Sequence, residues 1–113
     1  MKKLYRVKKN RDIEKILKAR LVKRTQYFKV YKKQNPNQLH FRFAVSVSKK
    51  TGNAVLRNKM KRRLRMIIST LKIKNGFDIF IIVNQEAASL NFEILSQELI
   101  KALKLSNLLE VKE

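Results

Sequence analysis

The chain has no cysteine and no tryptophan, one histidine, one proline, two glycines and only eight acidic residues among 113. Each scarcity closes a route to function. Without cysteine there are no disulfides and no thiolate metal sites, and a reducing, cytoplasmic setting is compatible. The lone histidine, His40, leaves no pair for acid–base work on phosphodiesters. Gly52 and Gly76 alone cannot compose a Walker loop or a Rossmann glycine pattern. Asp12 and Glu14 are the only acids in residues 1–77, too few for a nuclease that gathers carboxylates around two cations. No catalytic residue and no metal ligand is therefore expected in the protein itself. No apolar run approaches the ~20 residues needed to span a bilayer, so no membrane span is expected. The start, MKKLYRVKKNRD, lacks a following apolar stretch, so a signal peptide is not expected.

What the chain has is positive charge. Lys and Arg total 28 against 8 Asp and Glu, a formal net of +20. Residues 1–75 carry 25 basic and 2 acidic side chains, whereas residues 76–113 carry 3 and 6. Such a surface repels itself unless a polyanion neutralises it. Nucleic acid is the first candidate. An anionic membrane is the second, but a membrane binder sets exposed apolar residues opposite its lysines, and here the apolar stripes are better used as core. The hydrophobic fraction of 44% is ordinary for a folded protein, and the length suits one domain spanning residues 1–113.

Asn10 is a candidate cap for a helix from about Arg11 to Arg20, with Asp12 and Glu14 in its first turn and Ile13, Ile16, Leu17 and Leu21 at helical spacing. Leu4, Tyr5 and Val7 are candidate anchors ahead of it. An extra strand is possible around Leu21 to Arg24. Gln26 to Lys33 reads as a strand with Phe28 and Val30 on one face and Tyr27, Lys29 and Tyr31 on the other. The next run puts Phe41, Phe43, Val45 and Val47 on one face and His40, Arg42, Ala44, Ser46 and Ser48 on the other. These two strands are expected to form an antiparallel hairpin around Pro36.

A long helix is expected from Asn53 to Lys72. Leu56, Met60, Leu64, Ile67, Ile68 and Leu71 lie on one arc of about 120°. Arg57, Lys61 and Arg65 border that arc as a single row, Asn58 and Arg62 lie farther out, and Lys59 and Arg63 take the other flank. Asn75-Gly76 stops the helix, DIFIIVN (78–84) reads as a strand buried on both faces or nearly so, and Asn91 caps a last helix from Phe92 to Lys104. That helix buries Ile94, Leu95, Leu99, Ile100 and Leu103, and the tail beyond Ser106 is expected to pack loosely. The outcome is an α+β fold, a single-domain α-β sandwich in the order α-β-β-α-β-α with room for the extra strand.

The run SVSKKTGNAVLRNKMKRRLR, Ser46 to Arg65, resembles the signature of the protein subunit of bacterial ribonuclease P, with Arg57-Asn58-Lys59 matching that family's Arg-Asn-Arg-like helix. The resemblance extends over nearly the whole chain. It implies an RNA-binding subunit of an endoribonuclease whose chemistry is carried by a large RNA with Mg²⁺, and which removes the 5′ leader of precursor tRNA. It further implies one protein per RNA, in the cytoplasm, and a left-handed β-α-β crossover like that of the ribosomal protein S5 domain 2-like fold. By position, Arg57, Asn58, Lys59, Lys61, Arg62 and Arg65 would face the catalytic RNA. Ile13, Leu17, Tyr31, Ser46 and Lys49 would line a cleft for the single-stranded leader. Ile13 and Leu17 stand where the family often has phenylalanine, so aliphatic contact replaces stacking there. The alternative is a ribosomal or other structural RNA-binding protein with no processing role.

Overall fold

The computed structural model describes residues 5–7 and 9–110, so Leu4 lies outside the described residues. Along the chain come α1 (Asn10–Lys18), β1 (Val22–Arg24), β2 (Phe28–Gln34), β3 (Arg42–Val47), α2 (Ala54–Ser69), β4 (Phe77–Val83) and α3 (Phe92–Leu105), with 3₁₀ turns at Lys49–Thr51 and Gln85–Ser89. The fold is mixed α+β, and the extra strand is present as β1.

Strand pairing departs from the expected hairpin. The sheet order is β1-β2-β4-β3. β2 pairs antiparallel with β1 on one side and with β4 on the other, and β3 pairs parallel with β4. β4 therefore stands between the two strands that sequence adjacency would have joined. Its apolar run supplies the reason: Ile79, Ile81 and Val83 are buried on one face, and both of its edges are hydrogen-bonded. An edge position would waste that burial. β3 instead reaches β4 through α2, a crossover between parallel neighbours.

One face of the sheet is dry. Phe28, Val30, Phe43, Val47, Ile79, Ile81 and Val83 meet Met60, Leu64, Ile67 and Ile68 of α2 and Leu95, Leu99, Ala102 and Leu103 of α3. The other face carries α1, which lies against β2 and β4 and buries Ile16 fully. β4 is thus not sealed on both sides: Phe80 and Ile82 are only half-buried.

Several boundaries move for local reasons. Asn10 is the first helical residue rather than the cap; Lys9 precedes the helix and its carbonyl takes the Asp12 and Ile13 amides. α1 stops at Lys18 and Leu21 is exposed, because Arg20 turns left-handed at φ 56 and breaks the helical spacing. α2 starts as expected, with the Asn53 side chain accepting from the Leu56 amide at 3.0 Å. It ends at Ser69, and Thr70 begins the turn toward β4. Leu56 is 50% exposed instead of buried, since it lies over the backbone of Gly52 ahead of the core. Ile94 is likewise exposed and Ile100 half-buried, both at the flanks of the α3 stripe. The tail does not pack loosely. Leu108 is fully buried, the Lys74 amide donates to its carbonyl, and Leu109 bridges to Ile73. Residues 71–74, leaving α2, provide the backbone edge that captures it.

Candidate nucleic-acid interface

The face of the sheet that α1 leaves uncovered is the β3 side. Register sets its side chains in three rows: Ala44–Phe80–Tyr31, Ser46–Ile82–Lys29 and Arg42–Asp78–Lys33. Alternation explains why β3 contributes small residues, since its Phe43 and Val47 point into the core. Beyond β3, the free edge is partly closed by the N-terminal segment, where Arg6 bridges to Phe43 and the Val7 amide donates to the Phe43 carbonyl at 2.9 Å.

The result is a groove of about 650 Å³. Ala44, Ser46 and Ser48 form its floor with Phe80 beside them, Ile13 of α1 stands on one side, and Arg57, Lys61 and Arg65 of α2 stand on the other. These three cations recur at helical spacing, so one helix lines the whole wall. Lys49 lies at the mouth, held by a tight turn in which the Ser48 hydroxyl accepts from the Lys50 amide at 3.2 Å.

Among the described residues no acid pairs with this wall. Burial pushes the Arg65 guanidinium below the usual arginine range, and the nearby charge of Arg6 pushes it further. Nε of Arg6 and Nε of Arg57 are buried without an acceptor among the described residues. Desolvated, mutually repelling donors gain most from an anion. Arg42 behaves oppositely. Its Nε and Nη2 donate to the two oxygens of Asp78 at 2.9 and 2.8 Å, and Asn35 adds a bond to Asp78 at 3.1 Å. That pairing raises the Arg42 pKa, chiefly through the hydrogen bond to Asp78 and further through the charges of Asp78 and Asp12. Arg42 is a structural cation, already engaged.

Of the residues expected in the cleft, Ile13, Ser46 and Lys49 line the groove. Leu17 and Tyr31 stand outside that lining, on the part of the face that α1 covers; the Tyr31 ring lies 6.4 Å from that of Phe80. Phe80 is the residue that sequence reasoning missed, because a continuous apolar run reads as buried on both faces. Of the six assigned to catalytic RNA, Arg57, Lys61 and Arg65 turn to the groove, Asn58 and Arg62 face outward, and Lys59 sits on the far flank near Arg63 and Ala88. The helix thus offers cations on three sides. Among the described residues no group of three His, Cys, Asp or Glu could hold a metal ion. The carboxylate at the β4 end of the sheet, Asp78, is engaged by Arg42 and Asn35.

A family model described as ribonuclease P matches residues 1–106. The ribonuclease P protein component of Limosilactobacillus fermentum is 39% identical over 114 residues, covering 99% of this chain and all of the relative. Among solved structures, an RNase P protein from Staphylococcus aureus superposes with a TM-score of 0.86 at 37% identity, covering 94% of this chain and 98% of that one. The RNase P protein from Thermotoga maritima gives 0.80 at 30% identity, covering 88% and 96%. With a family model matched over residues 1–106 and relatives 37–39% identical over nearly their whole length, the chain belongs to the ribonuclease P protein family.

Proposed function

We propose that the protein is the RNA-binding subunit of ribonuclease P, engaging the RNA subunit through α2 and holding the single-stranded 5′ leader of precursor tRNA in the groove. The observation that carries this reading is the groove itself: a wall of Arg57, Lys61 and Arg65 lined by no acid, over a floor of Ala44, Ser46 and Ser48. Cations on one side suit a phosphate backbone, and small side chains with Phe80 leave flat space for bases. The lining suits a single strand, whose backbone can follow the cationic wall while its unpaired bases lie on the floor. Asn58, Arg62 and Lys59, pointing away from the groove, are free for the RNA subunit. Full-length similarity to ribonuclease P proteins favours this reading over a structural RNA-binding role.

The chemistry is assigned to the RNA, because the described residues present neither a histidine pair nor a carboxylate cluster. Mg²⁺ would be bound mainly by RNA. The protein's contribution is to position the leader and to neutralise phosphate charge so that fewer cations are needed. It acts in the cytoplasm, one protein per RNA.

Reconstitution tests this. The protein is mixed with the cognate RNA subunit and precursor tRNA at low Mg²⁺. Cleavage accelerated by protein, with leader-bearing substrate bound more tightly than mature tRNA, is the expected result. Equal affinity for the two tRNAs overturns the groove assignment, and cleavage by RNA-free protein overturns the division of labour.

A further inference from the structure

The outer surface of α3 is the part of the molecule that the RNA-binding reading leaves unused. α3 packs against β1, β2 and α2, whereas the groove opens on the other face of the sheet, beside α1. Leu95, Leu99, Ala102 and Leu103 are its buried side. Ile94, Glu98, Lys101 and Leu105 follow one another at steps of four, three and four residues. At about 100° per residue they share about 60° of arc, roughly 110° round the helix from the buried side. That spacing is the seam of a coiled coil. Ile94 and Leu105 are 38% and 53% exposed, Lys101 is exposed, and Glu98 is half-buried.

Ordinary structural reasons explain part of this surface. Exposed aliphatic residues scattered singly are common. Glu93 in the first turn of α3 and Lys104 in the last complement the helix dipole. Neither reason covers Glu98 and Lys101, which stand in the middle of the helix. Three residues apart, they could pair within the chain, but the single ion pair among the described residues is Arg42–Asp78. What remains is their order along the seam: apolar, acidic, basic, apolar. Reversing that order exchanges the two charges and returns an apolar residue to each end.

We propose that this seam of α3 docks a second copy of the chain, antiparallel, across a two-fold axis passing between Leu99 and Ile100. In a two-fold interface, if one residue meets another, the second meets the first. Ile94 then faces the partner's Leu105, and Glu98 faces the partner's Lys101, each pair occurring twice. Glu93 and Lys104, on one flank of the seam, oppose each other across the same axis. A parallel pairing in register would instead set carboxylate on carboxylate and lysine on lysine. Charge also selects the occupant. With a formal net of +20 the chain repels a copy of itself, but α3 holds two acids and two bases. Salt screens charges more than about 8 Å apart, which damps that repulsion while pairs in contact persist. RNA gains nothing from a surface with as many acids as bases. Fourteen residues make about 21 Å of helix, a small interface, so the dimer is weak and exchanges readily. Both grooves stay open, and each protomer keeps its own RNA.

The test is a charge exchange read by sedimentation equilibrium of the full chain over a concentration series. Glu98→Lys puts a lysine against the partner's Lys101, and Lys101→Glu puts a carboxylate against the partner's Glu98, each twice by symmetry. Each alone should weaken dimerisation at least about tenfold. The two combined exchange the charges and should restore the parent's affinity to within about twofold. All three variants should melt like the parent. A second measurement stands even if one of them folds poorly. The chain has no cysteine, so Glu98→Cys mixed with Lys101→Cys and oxidised can form a disulfide only at the seam. The mixed dimer should dominate, because it keeps one Glu98–Lys101 contact across the axis and either variant with itself keeps none. A parent that stays monomeric up to about 1 mM overturns the proposal. So does a dimer that neither single substitution weakens, a combined variant that stays dissociated, or a disulfide yield no higher in the mixture than in either variant alone. Affinity for the RNA subunit, measured per protomer, should be the same in every variant; a loss there would show that α3 meets RNA instead of a second copy.

Discussion

α2 and α3 are near-equivalent pieces of scaffold with unlike surfaces. Each is capped by an asparagine whose side chain accepts from the third amide onward, Asn53 from Leu56 at 3.0 Å and Asn91 from Ile94 at 2.9 Å. Each buries four residues of a helical stripe against the same side of one sheet. Yet α2 carries six cations and no acid, while α3 carries two of each. The fold demands only the stripe. The cationic surface of α2 is in excess of what folding needs, and that excess is what the proposed RNA contact would use.

The equivalence breaks first if the two stripes differ in how firmly they dock. Leu64 and Leu99 are both fully buried. Leu64→Ala and Leu99→Ala should each cost about 2–5 kcal/mol in urea or thermal unfolding. A near-zero cost for Leu64→Ala would mean that α2 is only loosely docked and that its groove wall is not preformed.

The entries to the helices differ next. α2 is reached through Gly52 at φ 153, whereas Leu90 ahead of α3 has an ordinary φ of −81. A β-carbon at Gly52 would also lie 2.7 Å from Cδ1 of Leu56, although that exposed side chain can swing away. Backbone strain then dominates, and Gly52→Ala should cost about 1–3 kcal/mol. Leu90→Ala carries no such strain and loses only packing. A Gly52→Ala protein as stable as the parent would show that the turn presenting Lys49 tolerates other backbone shapes.

Neutralising cations should separate the helices most clearly in binding. Arg57→Ala, Lys61→Ala and Arg65→Ala together should lower RNA affinity at least tenfold, about 1.4 kcal/mol, and flatten the salt slope by about 2. Melting should not suffer, since removal of Arg65 relieves a desolvated charge repelled by Arg6. Lys101→Ala with Lys104→Ala on α3 should change neither affinity nor slope. Equal losses from both helices would mean that RNA reads net charge rather than this wall.

Much of this architecture is legible in the sequence. Asparagine caps and 3.6-residue spacing place α2 and α3 to within a few residues, and the row Arg57, Lys61, Arg65 follows from the same periodicity. Pairing is not legible, because β2 and β3 are joined by a short loop and local hairpins are the usual outcome. The contrary signal lies in residues 78–84: so apolar a strand belongs in the middle of a sheet, which forces β2 and β3 apart. The groove suffers from the same limit. Ser46 and Lys49 neighbour α2 in sequence and line the groove, but Phe80 joins that lining only through the β3–β4 register. Leu17 and Tyr31 fall outside the groove for the converse reason, since which strands α1 covers is a property of the sheet order.

The smallest expected effect tests why α2 has no acid at its start. Stability alone would favour one there, as in α3, where Glu93 occupies the first turn and complements the helix dipole. Asn53→Asp should keep the cap and add the missing negative charge, stabilising the fold by about 0.3–1 kcal/mol. Asn91→Asp should gain less, because Glu93 already supplies part of that charge. Binding should move the other way. A carboxylate at Asn53, one turn from Arg57, places negative charge where phosphates are expected, so RNA affinity should fall for Asn53→Asp and not for Asn91→Asp. A protein that gained stability at Asn53 without losing affinity would show that RNA does not approach the start of α2. The stabilising charge would then be missing there for no functional reason, and the contrast between the two helices would narrow to the groove wall.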